Sequence, residues 1–142
     1  MKEIILGGIL LIQGIFDLKD KQIPLVVCAI GAGMGIGICI YEERGILSLL
    51  QAILPGVFAL LFARFSKETM GYGDGLMLVI MGMYLSWEAL LTVGMLAFGI
   101  AGIVALLLLV VFHKKGSFQI PFVPFLTVSY ILYIFINGGV SI

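Results

Sequence analysis

The chain has 142 residues, 62% of them hydrophobic and only 11% charged, and its formal net charge is zero. An ordinary soluble domain carries about a quarter charged residues, so this composition excludes a soluble globular protein, and the lack of a basic excess excludes nucleic acid as a partner. Cys28 and Cys39 share one apolar run and no CxxC pair occurs, which excludes a structural zinc module. Both thiols read as small buried hydrophobes. Apolar runs separated by short polar clusters predict an all-α, polytopic membrane protein, one domain over residues 1–142.

Residues 4–16 predict the first span, short at roughly 20 Å for a 1.5 Å rise per residue. Lys2 precedes it, but Gln13, Phe16 and Asp17 close it where a signal peptide would have small residues, so a retained helix is expected. Residues 17–22 form the first polar break. Pro24 suits the first turn of a second span ending near Ile40. Within that span Gly31/Gly35 and Gly33/Gly37 each have the spacing for close helix contact in lipid, or for loose packing. Tyr41–Arg44 is the second break, and a third span over 46–63 carries a possible kink at Pro55-Gly56. Arg64–Gly73 is the third break. A fourth span starts near Asp74 and ends by Trp87, an interface anchor. The fifth runs from Glu88 to Phe112, with Ala97, Ala101 and Ala105 on one face. His113–Gln119 is the last break, and the sixth span covers 120–137.

Positive charge orients the spans. Breaks one, three and five hold Lys19, Lys21, Arg64, Lys67, Lys114 and Lys115, against Lys2 and Arg44 on the opposite side. This predicts that those three breaks are cytoplasmic and that both termini are outside. Asp17 and Asp74 then stand at the same, cytoplasmic, face.

Two aspartates at one membrane rim suit acid–base hydrolysis. Mutual repulsion and partial desolvation split the titration of a close pair. One carboxylate draws a proton from water while the other, protonated, donates to a carbonyl oxygen, as in aspartic proteases. Such chemistry needs no metal or cofactor. Gly71 and Gly73 flank Tyr72 ahead of Asp74 and offer an edge on which an extended peptide could lie. Plainer readings stand beside this one. Asp74 suits the N-cap of the fourth helix, a role compatible with catalysis. Asp17 also fits a solvated loop charge balanced by Lys19 and Lys21, with Asp20 as the rival for its role. Glu42, Glu43 and Glu88 read as interface charges, and Glu68 beside Lys67 as solvated. His113 beside Lys114 and Lys115 reads as part of a basic, lipid-facing cluster. Met70, Met77, Met81 and Met83 read as helix packing.

Asp17 followed by Ile23-Pro24, together with Gly71-Tyr72-Gly73-Asp74, resembles the type IV prepilin peptidase family, and Ile120-Pro121-Phe122-Val123-Pro124-Phe125-Leu126 is similar to that family's segment before its last helix. The resemblance implies a membrane aspartyl endopeptidase that removes the basic leader of type IV pilin-like precursors at the cytoplasmic face, with Asp17 and Asp74 catalytic. It also implies a peptidase-only form, since the chain lacks the cysteine-rich loop of members that carry a methyltransferase region. Leu76, Leu25 and Val123 depart from the family's frequent lysine, asparagine and glycine. Asp20 and Glu68 lie where a basic leader would pass, which makes them candidate substrate contacts beside Gly71 and Gly73.

Two other function classes fit parts of the pattern. An ion- or proton-coupled transporter would use polar residues within spans, and Gln13, Gln51 and Thr92 are the candidates; it would also favour inverted repeats, which are missing. A presenilin-like protease of general membrane helices shares the GxGD logic. An inactive structural subunit fits the composition but leaves both aspartate motifs unexplained.

Overall fold

The computed structural model describes residues 1–20, 24–65, 71–111 and 120–137. Among them the chain forms six helices and no strand: α1 (Lys2–Asp20), α2 (Leu25–Tyr41), α3 (Ile46–Phe65), α4 (Tyr72–Tyr84), α5 (Trp87–Val110) and α6 (Val123–Ile136). Lys21, Ile23, Lys67, Glu68, Met70, His113, Lys114 and Lys115 lie outside the described residues.

The helices end where local chemistry dictates. Pro24 stands at the N-cap of α2 with φ −65°, the value its ring imposes. Ser86 caps α5, its side chain accepting from the Ala89 amide at 3.3 Å. Beyond the end of α2, the Glu43 N–H donates to Ile40 O at 3.2 Å and the Arg44 N–H to Cys39 O at 3.1 Å. This is a Schellman turn, which normally places glycine in the left-handed position. Here Glu43 occupies it, with φ 48°. Glu43→Gly is therefore expected to raise stability by about 0.5–1 kcal/mol, the left-handed penalty less the greater chain entropy of glycine. Thermal unfolding in detergent checks this, with Glu43→Ala giving no gain.

α4 is the central element. It packs along α3 and against α2, while α6 joins α1 to α5. Seven of its residues are buried: Gly75, Met77, Leu78, Ile80, Met81, Gly82 and Tyr84. Bare backbone sets the α3–α4 distance. A Cβ on Gly56 would strike the Val79 amide and lie 2.8 Å from Val79 Cα, and one on Gly82 would strike the Ala52 carbonyl. A Cβ on Gly75 would lie 2.9 Å from the Leu60 amide nitrogen. Pro55 lies inside α3 without ending it. Of the two glycine pairs in α2, Gly31/Gly35 makes the close contact: a Cβ on Gly35 would sit 2.9 Å from Met83 Cβ, whereas Gly33 and Gly37 face open space. The Tyr84 hydroxyl donates to Gly31 O at 2.7 Å and ties the same seam.

The exterior is apolar. Phe58, Phe62, Phe98, Ile103, Leu106 and Phe135 are all exposed, far more apolar surface than a monomer in water leaves open. α3 and α5 are long and apolar enough to cross a bilayer, and α2 and α6 are shorter apolar helices. Such an exterior and such helices suit a bilayer. Of the small residues on α5, Ala97 is buried, while Ala101 and Ala105 line an open groove of about 290 Å³ with Phe98 and Phe122.

The ends of the bundle differ in chemistry. At one end the Lys2 ammonium meets Glu42 at 2.7 Å, and Arg44 Nε lies 3.6 Å from the same carboxylate. Arg44 Nη1 also donates to Met83 O at 3.1 Å, satisfying a carbonyl in the last turn of α4 that no longer has a helical partner. Asp17 and Asp74 lie at the opposite end, in the last turn of α1 and the first turn of α4.

Candidate active site

Asp17 is part of a helix, not of a loop. α1 continues through it to Asp20, so the helix is longer than the apolar run. Leu6, Leu10, Gln13 and Asp17 are all buried on α1, and their spacing is that of one helical face. That spacing was the signal that Asp17 turns inward rather than into solvent. Asp17 is 7% exposed, which overturns its reading as a solvated loop charge. Its Oδ2 accepts the Val123 N–H from the start of α6 at 3.1 Å.

Asp74 is half-buried at the third position of α4. The N-cap is Gly71, with an extended backbone of φ −64° and ψ 135°. Asp74 thus does not cap α4 as its first residue. Its carboxylate instead reaches back to the Gly71 N–H, while its own amide donates to Gly71 O at 3.1 Å. This is the half of a capping box that a third-position acid supplies; Gly71 has no side chain to supply the other half. A side chain on Gly71 would meet Asp74 Oδ2 at 3.3 Å. Tyr72 and Gly73 are already helical, so only Gly71 keeps the extended backbone on which a peptide edge was expected.

Both carboxyl groups lie at polar helix ends, outside the apolar runs. Burial pushes Asp17 above the ordinary carboxylate range, and the Val123 hydrogen bond opposes it. Asp74 is pushed up to about 7, first by burial and then by the negative charge of Asp17, against the Gly71 hydrogen bond. Asp17, 57 positions earlier in sequence (74 − 17), thus contributes to the field at Asp74. A carboxyl raised this far can keep its proton close to neutral pH, which suits the acid half of an acid–base pair.

The other sequence candidates divide. Asp20 ends α1 and is exposed, three residues beyond Asp17. Glu68 lies outside the described residues. Gln13 is fully buried and donates to Cys28 Sγ at 3.1 Å, whereas Gln51 and Thr92 are exposed on the outside of the bundle. The contribution of Val123 was not anticipated, because a backbone N–H leaves no side-chain signature. The flanking Pro121 and Pro124 were its only trace.

Known proteins extend the comparison. The profile of the type IV leader peptidase family matches residues 4–110, a stretch that holds both aspartates and stops before α6. No curated protein and no solved structure matches the chain. The matched stretch is three quarters of the sequence (107 of 142 residues), and on that ground the chain is a peptidase that belongs to the type IV leader peptidase family.

Proposed function

We propose that this peptidase is a membrane aspartyl endopeptidase that removes the basic leader from type IV prepilin-like precursors, with Asp17 and Asp74 as its catalytic pair. The observation that supports the reading is that the charge of Asp17, at the end of α1, acts on the carboxyl of Asp74, at the start of α4. The chain acts as a single domain of six spans in the cytoplasmic membrane, both termini outside and the pair at the cytoplasmic rim. The excess of Lys and Arg in alternate breaks supports that orientation. The pairing of Lys2 and Arg44 with Glu42 at the other end leaves that end with still less free positive charge.

In the proposed reaction the ionised carboxylate takes a proton from water as its oxygen adds to the scissile carbonyl carbon. The protonated carboxyl gives its proton to the carbonyl oxygen. The tetrahedral intermediate then collapses and the C–N bond breaks: the leaving nitrogen picks up the proton held by the first carboxylate, while one hydroxyl of the intermediate returns its proton to the second, which restores the starting pair. The precursor's apolar segment lies in the bilayer against the bundle. Its basic leader stays in the cytoplasm, where Asp20 and Glu68 attract it, and Gly71 and Gly73 leave room at the mouth of the site. Of the three polar residues that a transporter would use, Gln51 and Thr92 face outward, the Thr92 hydroxyl donating to Glu88 O at 2.8 Å, and Gln13 alone is buried, its amide on Cys28 Sγ.

The pH dependence follows from the shared proton. The working state has one carboxyl protonated and one ionised, so activity falls in acid as both become protonated. It falls again as pH rises through about 7, where Asp74 loses its proton. A bell with its alkaline limb near neutrality is expected in kcat/KM for a purified precursor. Incubating detergent-purified protein with a precursor and reading the released leader by mass spectrometry tests the activity itself. A single cut between the leader and the apolar segment supports the reading, and equal cutting of leaderless membrane helices contradicts it.

A further inference from the structure

We propose that the first turn of α6 is a third part of the active site, in which the Val123 N–H orients Asp17 while Thr127 and Gly14 lock that turn onto α1. The inference rests on the reading of Asp17 as catalytic. It concerns a helix beyond the stretch matched by the family profile, which ends at residue 110.

The chemistry begins with the prolines. Pro121 and Pro124 have no N–H to give, and the amides of Phe125 and Leu126 are already spent on Phe122 O at 3.0 and 3.2 Å. Val123 is left with an N–H free of the helix, fully buried, and it donates to a carboxylate 106 residues away in sequence. The helix start adds its partial positive charge at the same point. Asp17 sits in the last turn of α1, where its own helix presents carbonyl oxygens, so the favourable donor must come from another element.

A second set of contacts keeps that donor in place. Thr127 Oγ1 lies 3.0 Å from both Leu10 O and Val123 O, so one hydroxyl bridges α1 and the turn that carries the N–H. Gly14 makes the approach possible: a Cβ there would stand 3.1 Å from Thr127 Oγ1 and 3.7 Å from Pro124 Cα. Along α1 the order Leu10, Gly14, Asp17 meets Thr127, Pro124, Val123 on α6, an antiparallel seam that ends at the carboxylate. Thr127 and Gly14 touch no reacting atom and act through Val123 as positioning residues.

Among the described residues the charged and titratable groups around Asp17 are few. α4 presents Asp74. On its own helix Lys19 and Asp20 are exposed. α2 carries Cys28, bonded to Gln13, and α6 carries Tyr130 and Tyr133, the former donating to Glu3 O at 3.1 Å near the far end of α1. Val123 is therefore, among the described residues, the donor that favours the charged form of Asp17, and loss of that donor moves the titration of Asp17 upward.

The test is the pH profile of kcat/KM for precursor cleavage by Val123→Pro, Val123→Gly, Thr127→Val and Thr127→Ser. Val123→Pro removes the N–H and is expected to move one limb of the bell up by about one pH unit, the scale of one hydrogen bond to a charged group. Thr127→Val moves the same limb in the same direction by less. Val123→Gly and Thr127→Ser keep the donor and the hydroxyl and leave both limbs in place. Proline at 123 also restricts Phe122, so if that variant does not fold, the Thr127 pair decides. Unmoved limbs in Thr127→Val and in any folded Val123→Pro overturn the positioning role even if their rates fall. Asp17→Asn, run alongside, separates this from failure of the underlying reading: cleavage by that variant removes both, whereas an inactive Asp17→Asn with unmoved limbs elsewhere removes only the role of α6.

Discussion

Asp17→Asn and Asp74→Asn are each expected to lower precursor cleavage by at least about 10³-fold, the scale on which a positioned acid or base acts, while leaving the protein folded and inserted. The direction of the stability change separates this from simple damage. Asp17 and Asp74 are held partly out of water, and Asp74 also carries the cost of a like charge nearby. Asparagine at either position removes charge without removing volume, and its amide oxygen still accepts from the Val123 or Gly71 N–H. Each variant should therefore unfold at the same temperature as the wild type or somewhat above it near pH 7. Asp20→Asn, at the exposed end of α1, should retain most processing. Cleavage assays paired with thermal unfolding in detergent check all three variants. A substantial rate in either of the first two would contradict the assignment.

The second large effect is structural. Gly56→Ala and Gly82→Ala each place a methyl group against backbone of the facing helix, not against a side chain that can rotate away. Packed interiors yield little to such insertion, and overpacking of this kind costs about 1–3 kcal/mol or more. The loss should be visible as a lower unfolding temperature and a smaller yield of folded protein. It should also reduce cleavage, because the α3–α4 seam sets where α4 begins and hence where Asp74 stands. Gly33→Ala and Gly37→Ala, on the open face of α2, are the controls. They relieve the helix of a poor helix former and should be neutral or stabilising by up to about 1 kcal/mol.

Much of this could be read in the sequence because lipid imposes a coarse rule: long apolar runs must be helices. The break at Tyr41–Arg44 and the change of span by Trp87 therefore marked real helix ends. What periodicity could not decide was which side of a helix finds a neighbour. Gly31/Gly35 and Gly33/Gly37 have identical spacing, and only the docking of Met83 and Tyr84 makes the first pair the contact. Asp17 shows the opposite failure. The polar residues around it suggested a loop, yet it continues the face of Leu6, Leu10 and Gln13, and tertiary burial overrode local polarity. Asp74 was legible as a helix-start residue but not as the third one, because a glycine at 71 tolerates the extended N-cap conformation as readily as an acid would. The contact from Val123 lay furthest from view, since its donor is backbone and its acceptor is 106 residues distant.

The claim on which the account depends is that Asp17 and Asp74 share one field. Its most direct measurement is an infrared titration of the protonated-carboxyl band of Asp74 in the wild type and in Asp17→Asn. The account predicts a midpoint at about 7 in the wild type and a clearly lower one once the neighbouring charge is gone. Identical midpoints in the two proteins would mean that the two carboxyls do not interact, and would contradict the catalytic pair.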